Sequence, residues 1–436
     1  MNSSSATRSS PQTRYRWFIC ALLFFATTIN YIDRQILSLL KPILDVELGW
    51  TNAQFGMVNS AFLASYGVSV FFFGWFVDRF GTKIGFSVSI GAWSLAAMAH
   101  ALVGSVGGFL GARIALGLGE GGNFPSAVKA TAQWFPQCER AFATSLFNSG
   151  ANVGAIAAPL IVPAIAYSLG WHWAFILAGL AGFAWLFLWI PLFDQPEKCR
   201  RVSPGELAFI ESDNAKNTGA GDTAASIGAT SKVTWGAVLR HRQAWSLILA
   251  KFITDPVWWF LLFWLPDFFK RTRGLDIKES WALLVTIYAI ISVLSIAGGW
   301  ITGFLIGRGW SATRARKTGL FTFALCVLPL LVVTWAGNWT AVILIGLAGA
   351  AHQAWTANLY TTASDMFPKR AVATLIGIGT AVGSIGGMGF PILIGIILDR
   401  IPGGYPLIFG FCAFAYLIGF GVNHLLAPRY EQIKNF

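Results

Sequence analysis

The sequence predicts an all-α protein that crosses a membrane twelve times, and three observations carry the prediction. Hydrophobic residues make up 55% of the 436 and charged residues only 11%, against about 45–50% and about 25% in soluble domains; mean hydropathy is +0.61. Twelve runs reach the roughly 20 apolar residues that a helix needs to cross about 30 Å of hydrocarbon. The runs are continuous rather than alternating, and in lipid only helices and closed barrels satisfy every backbone group.

The expected spans, in order, are residues 17–39, 53–77, 84–105, 107–133, 141–166 and 171–194, then 244–268, 281–307, 317–336, 339–363, 371–398 and 404–427. Before the first, residues 1–16 are rich in Ser, Thr and Arg and read as a disordered tail without a separate cleavable signal. Between the sixth and seventh, residues 195–243 form the one long polar stretch, with a GAGDTAAS core that reads as a flexible linker. The expected division is therefore a tail (1–16), a six-helix bundle (17–194), a linker (195–243), a second six-helix bundle (244–427) and a short tail (428–436).

A net charge of +12 in a soluble chain would suggest nucleic acid. Here the 31 Lys and Arg sort by side instead: with both termini cytoplasmic, 21 fall in cytoplasmic segments. Six fall outside (Lys41, Lys270, Arg271, Arg273, Lys278 and Arg400), and four lie within or near the membrane. That asymmetry follows the positive-inside rule, sets the orientation and leaves no need for a nucleic-acid partner. The five cysteines lack any pairing or metal-ligand spacing and read as ordinary apolar or loop residues. No metal site is expected, because the five histidines are also dispersed, which argues against a membrane-embedded metalloenzyme. No phosphate-binding loop appears, which argues against an ATP-driven pump.

The two halves repeat one another. WFPQCERAFAT (134–144) after the fourth span is echoed by MFPKRAVAT (366–374) after the tenth, and each leads into a glycine-rich helix start, GANVGAIAAP (150–159) and GTAVGSIGGMGFP (379–391). Parallel six-span repeats suit a carrier that works by alternating access, with its substrate site at the midplane between the halves. A channel or a signalling protein does not require them.

GWFVDRFGTK (74–83), between the second and third spans, resembles the cytoplasmic signature of the major facilitator superfamily. The resemblance covers nearly the whole chain and implies that family's fold. It assigns gating to Gly74, Asp78, Arg79, Gly81 and Lys83, with Asp78 and Arg79 helping to latch the outward-open state. The physics is a close helix approach at glycine and charge pairing across a cytoplasmic gate. The second-half counterpart, GWITGFLIGRGWSATRARK (299–317), lacks the acid, so a weaker latch is expected there.

Ionisable residues inside a membrane are costly, so each is a functional candidate. Asp33 and Arg34 in NYIDRQ are adjacent and about 100° apart around a helix. Arg113 and Glu120 lie seven residues apart, on one face. Arg34 is a candidate receptor for an organic carboxylate, since a guanidinium is permanently charged and binds bidentately; a structural salt bridge is the alternative. Burial and a nearby Arg113 pull the proton affinity of Glu120 in opposite directions, which makes it a candidate proton-coupling site or half of a static Arg113–Glu120 pair. Asp33 is a second coupling candidate, unless water at the span end keeps it charged and inert. Lys251 and Asp255 read as an i,i+4 pair or as headgroup contacts, with a substrate role as the alternative.

NYIDR, Tyr66 in ASYG, the Arg113–Glu120 segment and the WFP after the fourth span resemble the superfamily's anion:cation symporters. KFITDPVWWFLLFWLPDF (251–268) and GAAHQAWTANLYTTASDMFP (349–368) are most similar to the hexuronate carriers within that branch. The resemblance implies proton symport of glucuronate or galacturonate across a bacterial inner membrane by a monomer, with the proton gradient as energy source and no cofactor. It also implies that Arg34 binds the carboxylate, Tyr31 and Tyr66 contribute hydroxyls, and Asp33 with Glu120 carry protons. Hydrogen-bonding forks and aromatic faces suited to a sugar are expected at Asn148 and Asn152, and at His352, Gln353, Trp355 and Asn358; Trp258 and Trp259 are weaker candidates. The competing expectations are a symporter of a linear aldonate or aldarate, such as galactonate or glucarate, and a non-transporting sensor.

Overall fold

The computed structural model describes residues 13–211 and 235–433. Residues 1–12, the GAGDTAAS core of the expected linker and residues 434–436 lie outside the described residues. Helices account for nearly all regular structure, and no strand occurs among the described residues. The helices are α1 (Tyr15–Leu48), α2 (Asn52–Phe80), α3 (Thr82–Ala99), α4 (Val106–Glu120), α5 (Asn123–Trp134), α6 (Gln137–Asn148), α7 (Gly150–Leu169) and α8 (Trp171–Leu192). Short helices α9 (Pro204–Ile210) and α10 (Trp235–Leu239) lead to α11 (Arg242–Phe263), α12 (Leu265–Arg273), α13 (Ile277–Gly307), α14 (Ala312–Val327), α15 (Asn338–Met366), α16 (Lys369–Arg400) and α17 (Tyr405–Leu426).

Eleven of these segments are long and apolar enough to cross a bilayer. The remaining expected span, the fourth (107–133), is divided at Gly121–Gly122 into α4 and α5, neither of which reaches crossing length alone. Two consecutive glycines weaken a helix. Here they also let it press on its neighbours, since a Cβ on Gly121 or Gly122 would enter the space of Ser69, or of Phe73 and Ser89. The fifth span is interrupted in the same way at Ser149, between α6 and α7.

Helix boundaries follow local chemistry. α1 ends at Gly49, whose φ of 59° admits the left-handed C-cap and whose N–H donates to the Asp45 carbonyl. α2 starts with a capping box of Thr51 and Gln54. α2 turns into α3 through one residue, Gly81, at φ 88°, a conformation that a side chain would strain. α1 begins at Tyr15, two residues before the expected edge, because its free first-turn amides have an acceptor: Tyr15 and Arg16 N–H donate to the buried Glu206 on α9, and the Arg16 side chain pairs with Glu206 and Glu139. The end of the expected tail and the start of the expected linker thus hold one another.

The first and last described residues lie at the same end of the bundle. At the opposite, far end, α2 and α16 pack more extensively than any other helix pair. A Cβ on Gly56 would meet the Pro391 carbonyl, and one on Gly395 would meet the Asn52 carbonyl, so the backbones touch. The described hydrogen bonds and ion pairs between the first six spans and the last six lie at this far end. At the end that carries the two tails, a Cβ on Gly74 would meet nothing within 4 Å, and Asp78 is 78% exposed. Among the described residues, the halves are joined by hydrogen bonds and ion pairs at the far end and lie apart around Gly74 and Asp78.

Candidate functional site

α1 and α4 meet deep in the first half. Arg34 Nε lies 2.6 Å from Glu120 Oε2, and both side chains are buried. The guanidinium is held between aromatic faces, with ring centroids at 4.5 Å (Tyr66), 4.9 Å (Tyr31) and 5.6 Å (Phe62). Such stacking fixes the plane of a group whose value lies in planar, two-pronged recognition.

The seven-residue spacing of Arg113 and Glu120 is realised as one face, but the acid is paired with Arg34. Arg113 instead donates through one Nη to the Arg34 carbonyl at 3.4 Å, and its remaining nitrogens find no hydrogen-bond partner. Asp33 is also buried, and neither carboxylate oxygen has a hydrogen-bond partner. It lies within electrostatic reach of Glu120, Arg113 and Arg34. Two acids and two arginines thus share one buried cluster and form one close ion pair among the described contacts.

α7 runs against α1 because it is glycine where they cross. A Cβ on Gly150 would collide with the Phe24 carbonyl, and one on Gly154 would collide with the Thr28 carbonyl and crowd Tyr31. Asn152 sits between those glycines, partly exposed, at the level of Thr28; Asn148 is exposed at the end of α6.

On α15 the expected sugar contacts divide. His352 Nδ1 hydrogen-bonds the Tyr416 hydroxyl at 2.6 Å, and its ring stacks on Trp258 at 5.3 Å. Gln353 is partly exposed. Trp355 is fully buried, edge-on to Tyr416. Asn358 donates to the Ala354 carbonyl and accepts from Thr302, which also accepts from Arg316. Both polar ends of Asn358 therefore serve packing among α13, α14 and α15.

Lys251 and Asp255 form the expected one-turn pair on α11, 2.9 Å apart and largely buried. Of the gating residues, Asp78 accepts from Lys129 at 2.9 Å, within its own half, and Lys83 lies 4.0 Å from Asp194. Arg79 lies over Trp75 and Phe80.

One polar cluster shows in the sequence only as flanking charge. At the far end Lys41, with a fully buried side chain, contacts Asp267 at 2.7 Å and Asp45 at 2.6 Å. Arg271 bonds Asp267 and Asn52, and the Tyr405 hydroxyl donates to Asp267. Burial alone would raise the Asp267 carboxyl; Lys41 and Arg271 more than offset it and hold it below the ordinary carboxylate value. Asp399 accepts from the Asn52 and Ala53 backbone N–H groups at 3.0 and 2.8 Å, capping α2 from α16. Asp399 is the sequence signal for this seam: an acid near the end of its own helix opposes that helix's dipole and favours another helix's N-terminus.

The sequence profile described as Major Facilitator Superfamily matches residues 23–391. The chain is 32% identical over 265 residues to the hexuronate transporter of Escherichia coli (strain K12), a match covering 61% of this chain and 60% of that protein. It is 28% identical over 407 residues to the probable galactarate/D-glucarate transporter of Bacillus subtilis (strain 168), covering 91% and 88%. Among solved structures, a D-xylose-proton symporter superposes with a TM-score of 0.70 at 15% identity, covering 95% of this chain and 97% of that one.

Proposed function

The chain belongs to the Major Facilitator Superfamily, a transporter family rather than a catalytic one, and on that premise we propose that it is a proton-coupled symporter of a sugar-acid anion, with a hexuronate such as galacturonate or glucuronate as substrate. The carrying observation is the Arg34–Glu120 pair clamped between Tyr31 and Tyr66. A substrate carboxylate and Glu120 compete for one guanidinium. A proton on Glu120 frees Arg34 for the substrate, so proton and anion each favour the other's binding. Asp33, buried in the same cluster, is the second candidate proton carrier. Asn148 and Asn152 from the first half, with His352 and Gln353 from the second, supply hydrogen bonds to the sugar.

Alternating access then takes a simple form. With both termini in the cytoplasm of a bacterial inner membrane, the shut far end faces outward and the parted end faces inward. The Asp78 and Arg79 latch belongs to the opposite state, which agrees with Asp78 pairing inside its own half. The carrier works as a monomer of two six-span bundles, with the proton gradient as its only energy source.

A second reading, a linear aldarate or aldonate as cargo, draws on the nearly full-length similarity to the probable galactarate/D-glucarate transporter. The deciding experiment is uptake of labelled galacturonate into proteoliposomes under an inward proton gradient, with glucuronate, galactonate and glucarate as competitors. Gradient-dependent uptake blocked chiefly by glucuronate supports the hexuronate reading. Strong block by galactonate or glucarate moves the assignment to a linear acid, and no uptake in correctly oriented, active vesicles removes it.

A further inference from the structure

We propose that Lys251, Asp255 and Tyr360 form a second-half subsite that accepts the polyol end of a sugar acid and rejects a second carboxylate. The proposal rests on the sugar-acid reading above and adds a specificity filter to it.

Three helices build the cluster. α11 sets Lys251 Nζ 2.9 and 3.1 Å from the two Asp255 carboxylate oxygens. α15 places the Tyr360 ring 4.8 Å from the same ammonium, and the Tyr360 hydroxyl shares a 3.0 Å hydrogen bond with Thr380 of α16. α16 makes room with two glycines: a Cβ on Gly383 would collide with Asp255 Oδ2, and one on Gly379 would lie 3.5 Å from Lys251 Cδ. α11 and α15 are the seventh and tenth spans, the repeat counterparts of the first and fourth that carry Arg34 and Glu120. The molecule thus holds one buried acid–base group on the same helix pair of each half. Lys251 is almost wholly enclosed, and the Asp255 side chain keeps 16% exposure, which leaves its carboxylate the more accessible member of the pair.

The chemistry separates the two groups. Arg34 presents a planar fork suited to one carboxylate. The Lys251–Asp255 pair is neutral overall, and its ammonium retains donors while its carboxylate retains lone pairs. Vicinal hydroxyls both donate and accept, so they satisfy both members without displacing either. A second carboxylate would meet Asp255 at close range in a medium of low dielectric, where like charges repel strongly. A monoacid is accepted end to end, and a diacid is opposed at its far end.

The test is competition against labelled galacturonate in proteoliposomes, comparing glucarate with glucuronate for the wild type and Asp255→Asn, with thermal unfolding of each purified protein as a folding control. The expected result is a preference for glucuronate in the wild type and a roughly tenfold gain by glucarate relative to glucuronate in the variant, as one opposing charge is removed. An unchanged ratio in folded Asp255→Asn overturns the filter. Should Asp255→Asn not fold, the neutral pair Lys251→Gln/Asp255→Asn, which leaves no lone buried charge, decides in its place: a loss of discrimination supports the filter and a wild-type ratio overturns it. A wild type that takes glucarate as readily as glucuronate also overturns the filter while sugar-acid transport stands. A wild type that takes up no sugar acid overturns the filter and the underlying reading together.

Discussion

Arg34 Nε and Glu120 Oε2 stand 2.6 Å apart between the first and fourth spans, and the second arginine of the cluster, Arg113, touches the Arg34 backbone instead of the acid. One acid therefore restrains the guanidinium that we assign to substrate, and protonation of that acid is the natural release.

Replacing Glu120 by Gln removes the titration while keeping the shape. Accumulation driven by a proton gradient should fall to the level seen without a gradient, while exchange of internal for external substrate persists. Paired uptake and counterflow assays in one vesicle preparation read the two rates. Loss of exchange as well would make Glu120 a structural residue.

Changing Arg34 to Lys keeps the charge and removes the fork and the stacking on Tyr31 and Tyr66. Hydrogen bonds to charged groups are worth about 1.5–3 kcal/mol, so affinity for the carboxylate substrate should fall by roughly ten- to a hundredfold. Isothermal titration in detergent measures this directly, and an unchanged affinity would take Arg34 out of the site.

The far-end seam should respond to acid with a definite sign. Asp267 is held below its ordinary value in the shut arrangement, so its contribution is complete above the unpaired carboxylate pKa of about 3.9. That contribution is lost as pH falls through the depressed value. At neutral pH, Asp267→Asn should weaken closure by about 1.5–3 kcal/mol, the scale of a lost hydrogen bond to a charged group. Spin labels at the exposed positions Val46 and Ile401, in a cysteine-free background, should report a longer distance population in the variant. A distance distribution identical to the wild type at every pH would rule out Asp267 as a closing contact.

Backbone contact between α2 and α16 makes a steric prediction. Gly56→Val sets a branched side chain against the Pro391 carbonyl, which has no rotamer with which to yield. The variant should bind substrate from the far side yet transport little, and a reporter cysteine on the far-side lining should become reactive to a membrane-impermeant maleimide. Wild-type turnover would show that the seam does not close as tightly during transport.

Much of this architecture is legible in the sequence because its causes are local. Run length marks the spans, Gly81 its turn, and the cost of buried charge picks out Asp33, Arg34, Arg113 and Glu120. The partner of Glu120 is not legible: spacing on one helix reveals who shares a face, and the choice between Arg113 and Arg34 is made by how the bundle sets the Arg34 side chain of α1 against α4. Asn358 illustrates the same limit, since its side chain could turn either way until Thr302 claims it. Lys41 reads as a flanking charge because it sits close to its helix end, and only the arrival of α12 buries it against Asp267.

The position of Lys41 has a consequence for how the seam parts. One of its two acids, Asp45, travels on its own helix, while the other, Asp267, keeps Arg271 one turn away and the Tyr405 hydroxyl. Separation thus leaves each side with its own counter-ion, and neither carries a bare charge into water or lipid. Opening is a change of partners rather than the rupture of a lone buried pair, which would cost about 3–5 kcal/mol. Resistance then comes from pulling apolar neighbours such as Phe55 and Trp264 apart and from lifting Asp399 off the start of α2, so the exchange of partners at Lys41 should itself add little salt dependence to the rate at which this face unlocks.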